Sequence, residues 1–286
     1  MADDSTTRQE VTERWLRAGD GARFRVTAIE SPTGDRRAPI IYLPGMFSTR
    51  AFWRSERGIG LAAFLADRGH PGLIVERRKA DCGARAGLEE HLRLDLPVAQ
   101  ATAEANWGRP AFWMGHSFGG VLAARACASY LDPERVRGLV LFAAQFEVGK
   151  RPLHPPLSWL VMAMTRALGR FPASRIGLGP SDEPPAAMAD AVRIVTRGRR
   201  NPGMRDALAG ITAPVLAISG TADEVDPAPG CERFIGHFAS TDRRFVRAGR
   251  DHGFSHDFGH PDIVASKAAA AEIWPLVAQW LSDHDD

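Results

Sequence analysis

Cysteine is scarce: Cys82, Cys127 and Cys231 are the only three in 286 residues, and they stand far apart. Their number and spacing fit neither a disulfide framework nor a zinc site. Lysine is equally rare, with Lys79, Lys150 and Lys267 alone among 36 basic residues. No charge of one sign dominates, because 34 acids leave a formal net charge of +2. The basic residues are scattered among acids, so there is no nucleic-acid footprint. No apolar run approaches the ~18 residues that a membrane span needs. The run Trp159–Met164 is far too short. The opening Met-Ala-Asp-Asp-Ser-Thr-Thr-Arg-Gln-Glu has neither a basic region nor an apolar one, so no secretory signal is expected. These absences predict a cytoplasmic protein with no nucleic-acid and no membrane partner. What is present is ordinary for a globular protein: 44% hydrophobic and 24% charged residues. The length suits one large domain or two small ones.

Strand and helix patterns alternate along the chain. A short helix is possible at Val11–Ala18, and Arg23–Ile29 alternates like a strand. Gly34-Asp35 marks a turn before the apolar strand Pro39–Leu43. Helix Ile59–Arg68, strand Gly72–Glu76 and the amphipathic stretch Leu88–Ala105 follow, with Pro97 kinking that stretch or starting a second helix. Next come strand Ala111–Met114, small-residue helix Gly119–Tyr130 and strand Val136–Ala143. This order predicts βαβ units and a mostly parallel central sheet flanked by helices, an α/β class. The alternation stops near Phe146, where Pro and Gly interrupt the helical pieces Leu157–Leu168 and Pro185–Thr196. It resumes with strand Pro214–Ser219, a helix near Gly230–Phe238, strand Arg243–Ala248 and helix Ala268–Leu281, possibly broken at Pro275. Residues 1–146 and 210–286 are thus expected to form one core, and 147–209 a helical insertion.

The sharpest signal is Gly115-His116-Ser117-Phe118-Gly119, a G-x-S-x-G pattern after an apolar strand and before a helix. A serine on such a turn is strained, and glycines two residues either side remove Cβ atoms that would clash. The helix also points its positive N-terminal end at the serine, where an oxyanion would develop. A serine hydroxyl needs a base, and the base an orienting acid. In chain order after Ser117 stands the turn Gly220-Thr221-Ala222-Asp223-Glu224-Val225-Asp226, with Asp223 the first choice and Asp226 the second. His252, His256 and His260 then compete for the base. Gly253, Gly259 and Pro261 make that stretch a loop, so the three imidazoles do not form a helical metal face. For the oxyanion, the expected backbone donors are Phe118 and, in the loop Leu43-Pro44-Gly45-Met46-Phe47-Ser48, Met46.

Gly115-His116-Ser117-Phe118-Gly119-Gly120, Pro44-Gly45-Met46 and the Gly220-x-x-Asp223 turn resemble the α/β-hydrolase superfamily, in particular its serine esterases and lipases. The run Gly259-His260-Pro261-Asp262 looks like the end of acid-lipase-like and bacterial esterase-like members, where the histidine of His-x-Asp is the base. That resemblance favours His260 over His252. It implies an α/β-hydrolase fold with a helical lid and a Ser117–His260–Asp223 triad. The activity it implies is carboxylic ester hydrolysis on a small-molecule ester through an acyl-enzyme, with no metal and no cofactor. Lactonase, thioesterase or acyltransferase chemistry uses the same triad, and a non-catalytic binding protein can share the scaffold. His116, Trp159 and Met162 are the expected substrate-binding residues, the last two from the apolar stretch Leu157–Met164. The family often has His-Gly where this chain has Pro44-Gly45, and Arg-Gly-His-Gly near Glu76–Gly83, a loop from which no function is read.

Overall fold

The computed structural model describes residues 9–34, 37–148, 153–198 and 201–285. The chain runs β1 (Val11–Arg17), β2 (Arg23–Ile29), β3 (Ile40–Leu43), α1 (Leu61–Ala66), β4 (Gly72–Val75) and α2 (Leu88–Glu90). A π turn at His91–Asp95 leads into α3 (Leu96–Trp107), then β5 (Ala111–His116), α4 (Phe118–Ser129) and β6 (Val136–Phe142). After β6 come α5 (Leu157–Ala167), α6 (Pro185–Arg197) and α7 (Pro202–Leu208). The chain then closes with β7 (Val215–Gly220), α8 (Ala228–Gly236), β8 (Arg243–Ala248), α9 (Asp262–Ala265) and α10 (Lys267–Asp283).

The eight strands form one sheet in the order β1-β2-β4-β3-β5-β6-β7-β8. β1 pairs antiparallel with β2, and β2 antiparallel with β4, while β4, β3, β5, β6, β7 and β8 are mutually parallel. Helices cover both faces, which is why the central strands are apolar on successive residues. In β5, Trp113 joins the core beneath α3 and α4, while Phe112 and Met114 join the core beneath α1 and α10. β3, β6 and β7 divide their side chains between the same two cores. Burying each such side chain contributes roughly 1.5–3 kcal/mol. The outer strands differ: β1 carries Arg14 and Arg17, and β8 carries Arg243, Arg244 and Arg247.

Two sequence expectations change here. Val11–Arg17 is a strand, not a helix, paired residue for residue with β2 from Val11 against Ile29 to Arg17 against Arg23. The hydrogen-bonding edge of β2 outweighs a weak helical pattern, and a tight turn closed by Ala18 N–H to Ala22 O at 2.9 Å sets the register. α10 runs unbroken through Pro275. Its face of Ile273, Trp274, Val277, Trp280 and Leu281 is buried, and that packing outweighs the ~3 kcal/mol cost of an interior proline. Pro97 lies in the first turn of α3 and so starts that helix. The Gly34-Asp35 turn falls partly outside the described residues.

Between β6 and β7 the described residues add no strand to the sheet and form only a bridge between Phe171 and Glu183. Met162, Phe171, Ala173 and Met188 make a small core of their own, against which Met46 and Phe47 pack. α7 behaves differently: it packs on α4, and Leu208 is buried in the main core. Because the parallel strands point one way, their C-terminal ends share one edge of the sheet. That edge is where open α/β sheets bind ligands.

Candidate active site

Ser117 sits at this edge, between β5 and α4, with φ 54° and ψ −126°. An L-residue with positive φ is strained by about 1–3 kcal/mol and persists only when its surroundings fix it. Here the Ser117 N–H donates to Phe142 O at 2.8 Å, locking the turn to β6. A Cβ on Gly115 would lie 2.4 Å from Gly120 N, and one on Gly119 2.2 Å from Leu43 O. The glycine spacing read from the sequence is therefore a packing requirement on both sides of the serine. Phe118 opens α4, so its N–H belongs to the first turn, where the helix has no carbonyl of its own to offer. The serine keeps 7% of its surface exposed.

The turn after β7 and the loop after β8 converge on it. His260 Nδ1 donates to Asp223 Oδ2 at 2.8 Å. Asp223 Oδ1 accepts the N–H groups of Val225 and Asp226, each at 2.8 Å. Burial pushes the Asp223 carboxyl up, but the bond and charge of His260 and those two N–H groups outweigh it and hold it below the usual carboxylate range. Asp226, fully buried, lies on the other side of the imidazole. Its Oδ2 accepts the Ser117 hydroxyl at 3.2 Å and stands 4.0 Å from His260 Nε2. Gln145 Nε2 donates to its Oδ1 at 2.5 Å. Ser117 Oγ and His260 Nε2 thus flank one carboxylate oxygen. His252 is exposed, and His256 Nδ1 meets Ser255 Oγ at 3.1 Å, so of the three imidazoles it is His260 that meets Asp223.

The loop after β3 completes the edge. Phe47 has φ 64°, its N–H donates to Glu183 Oε1 at 2.8 Å, and its carbonyl accepts the Ser181 N–H at 2.9 Å. Met46 stands between Gly45 and this strained residue.

A family model described as serine aminopeptidase, S33, matches residues 90–208. A soluble variant of monoglyceride lipase from Saccharomyces cerevisiae, solved with a substrate analogue, aligns at a TM-score of 0.70 and 16% identity, over 98% of this chain and 97% of that one. An esterase from Pyrococcus furiosus aligns at 0.65 and 16% identity, over 97% and 92%. A monoacylglycerol lipase from Paleococcus ferrophilus aligns at 0.61 and 15%, over 91% and 99%. This chain has the α/β-hydrolase fold. No curated protein sequence matches it.

Within this fold the remaining expected residues fall in different places. His116 is buried, and its Nε2 donates to His260 O at 2.9 Å while its ring lies 4.5 Å from that of His260. It supports the loop that carries His260. Met162 lies in the small core beside Phe171 and Met188, and Trp159 is 69% exposed. Among the described residues no group of three or more His, Cys, Asp or Glu side chains could hold a metal ion. No helix of the described residues is long and apolar enough to cross a membrane.

Sequence reasoning missed Gln145, which holds Asp226, and a buried pair at the loop after β3. Arg77 Nη1 donates to Pro44 O at 2.8 Å and Gly45 O at 2.9 Å, and its Nη2 donates to Glu183 Oε1. Arg77 belongs to the loop from which no function was read. Nothing local in the sequence marks it, because its partners come from two other segments.

Proposed function

We propose that this α/β-hydrolase is a serine hydrolase that cleaves a carboxylic ester of a hydrophobic small molecule. What carries the reading is the 2.8 Å contact of His260 Nδ1 with Asp223 Oδ2 beside a serine held at a strained strand-to-helix turn. The serine hydroxyl turns from Asp226 Oδ2 to His260 Nε2, which takes its proton as Oγ bonds to the ester carbonyl carbon. The carbonyl electron pair becomes an oxyanion, received by the N–H groups of Phe118 and Met46. Asp223 holds the imidazole tautomer and stabilises its charged form. Collapse breaks the bond to the alcohol, which leaves with the proton from His260. Water then repeats the sequence on the acyl-enzyme and regenerates Ser117. The cycle needs no cofactor.

Residues 147–209 are read here as the lid insertion, with Met162 and Trp159 lining the acyl pocket and α7 remaining anchored on α4. The apolar character of Leu157–Met164 favours a hydrophobic acyl group. Cys82, Cys127 and Cys231 form no disulfide among the described residues, which is compatible with the proposed cytoplasmic location. A fluorophosphonate probe tests the reading: wild-type protein is labelled, Ser117→Ala is not, and p-nitrophenyl esters of graded chain length turn over only with the former. Labelling that survives Ser117→Ala overturns it. Acyl-thioesters and lactones in the same panel separate the related chemistries.

A further inference from the structure

We infer that Arg77 and Glu183 are positioning residues for the oxyanion hole: their buried pair aims the Met46 N–H and makes the hole depend on the seating of the segment between β6 and β7. The inference rests on the serine-hydrolase reading and adds to it a coupling between two parts of the chain.

The argument starts from the loop after β3. Its peptide between Gly45 and Met46 carries the Gly45 carbonyl at one end and the Met46 N–H at the other. In a trans peptide these two groups point in opposite directions. Arg77 Nη1 fixes the Gly45 carbonyl at 2.9 Å and the Pro44 carbonyl at 2.8 Å. Holding those carbonyls on the Arg77 side turns the Met46 N–H away from the guanidinium. The next N–H, that of Phe47, is committed to Glu183 Oε1 at 2.8 Å. In this loop, therefore, the donor that Arg77 orients is the one the oxyanion needs, and its neighbour is withheld.

Glu183 joins the two halves of the arrangement. One of its oxygens, Oε1, accepts from both Arg77 Nη2 and the Phe47 N–H. The side chains of Arg77 and Glu183 are 6% and 1% exposed, so water does not compete for these bonds. Glu183 is itself fixed through its backbone to Phe171, with N–H···O distances of 2.8 and 3.1 Å in the two directions. Two residues earlier, the Ser181 N–H grips Phe47 O at 2.9 Å and its Oγ accepts from Lys79 Nζ at 2.5 Å. The positive φ of Phe47 is thus held from both of its peptide groups by residues 181–183. If this stretch lifts, Phe47 loses both grips and Arg77 loses its counter-charge.

A buried ion pair can also be mere structure, and replacing both partners by apolar residues of similar size is often neutral for stability. That property gives the test. In Arg77→Met/Glu183→Leu the protein should still fold, with a melting temperature lowered by the lost partners of Pro44 O, Gly45 O and the Phe47 N–H, and kcat for a p-nitrophenyl ester should fall about 100-fold, the scale of losing one oxyanion donor. KM should stay within about threefold. Affinity for a trifluoromethyl ketone, which forms an oxyanion on Ser117, should fall in parallel with kcat. A double variant with wild-type kcat and wild-type ketone affinity overturns the inference. Should that variant fail to fold, Glu183→Gln is measured instead. It keeps an acceptor for the Phe47 N–H and removes the charge that holds Arg77, and the same loss of kcat at constant KM is expected, an unchanged kcat again being fatal. Wild-type protein without Ser117-dependent turnover would instead refute the hydrolase reading.

Discussion

The strand-end loops of the sheet and the segment that packs on residues 44–47 are fixed by different means. At the strand ends the backbone does the placing. The turn at Ser117 is closed by an N–H hydrogen bond to β6, Asp223 is oriented by two backbone N–H groups, and the loop carrying His260 is held through its carbonyl. Residues 153–198 are attached largely through side chains: Ala187, Ala191, Ile194 and Val195 enter the main core, Glu183 pairs with Arg77 and Asp190 with Arg85, and the Ser181 N–H adds a backbone bond to Phe47 O. They also carry six of the ten large apolar side chains that stand exposed: Leu157, Trp159, Leu160, Leu168, Ile176 and Leu178. The difference separates strand ends fixed by the backbone, which leave little room for displacement, from a segment whose exposed side chains can be exchanged with little effect on packing.

Substitutions at the strand ends should therefore be severe, and those on the exposed face of residues 153–198 mild. Ser117→Ala should lower ester turnover by at least about 10⁴-fold with the fold intact by circular dichroism. Asp223→Asn should cost about 10⁴-fold in kcat, because the amide favours the wrong imidazole tautomer. Asp223 also predicts a pH dependence. Its carboxyl lies lower in the folded chain than in the unfolded one, so its stabilisation is complete above about pH 4 and disappears as pH falls through the lower folded value. The gap in melting temperature between wild type and Asp223→Asn should accordingly narrow in acid, and a gap that widens there would be against it. Gly119→Ala drives a methyl to 2.2 Å from Leu43 O and should cost about 100-fold by shifting the serine against its oxyanion loop. Asp226→Asn, on the Nε2 side, should change kcat by less than about tenfold. Equal damage from Asp223→Asn and Asp226→Asn would erase the distinction between the two carboxylates. Trp159→Ala, at 69% exposure, should move stability by less than about 0.5 kcal/mol, measured by urea unfolding.

The same division decides what the sequence revealed. Ser117 and its glycines were legible because the constraint is local: two Cβ atoms that must be absent within five residues. The parallel strands were legible from continuous apolar runs. Asp223 ranks above Asp226 in the sequence without any sign of where each points, since both occupy one turn and only the turn's own hydrogen bonds send them to opposite sides of the imidazole. β1 was misread because an outer strand with Thr12, Glu13 and Arg14 has little apolar pattern to show. Arg77 and Glu183 lie 106 residues apart and left no trace. Contacts that are made by folding, between segments with no shared period, have no signature in either segment alone.

Among the described residues, β1 and β8 are the end strands of the sheet, and both carry arginines. Each border presents unpaired backbone groups that another copy could extend by strand addition, and crowding them with like charges makes that approach unfavourable. A sheet of this width can then stay dispersed at high concentration without closing into a barrel, and neutralising Arg243, Arg244 and Arg247 together should turn a well-behaved protein into a precipitating one.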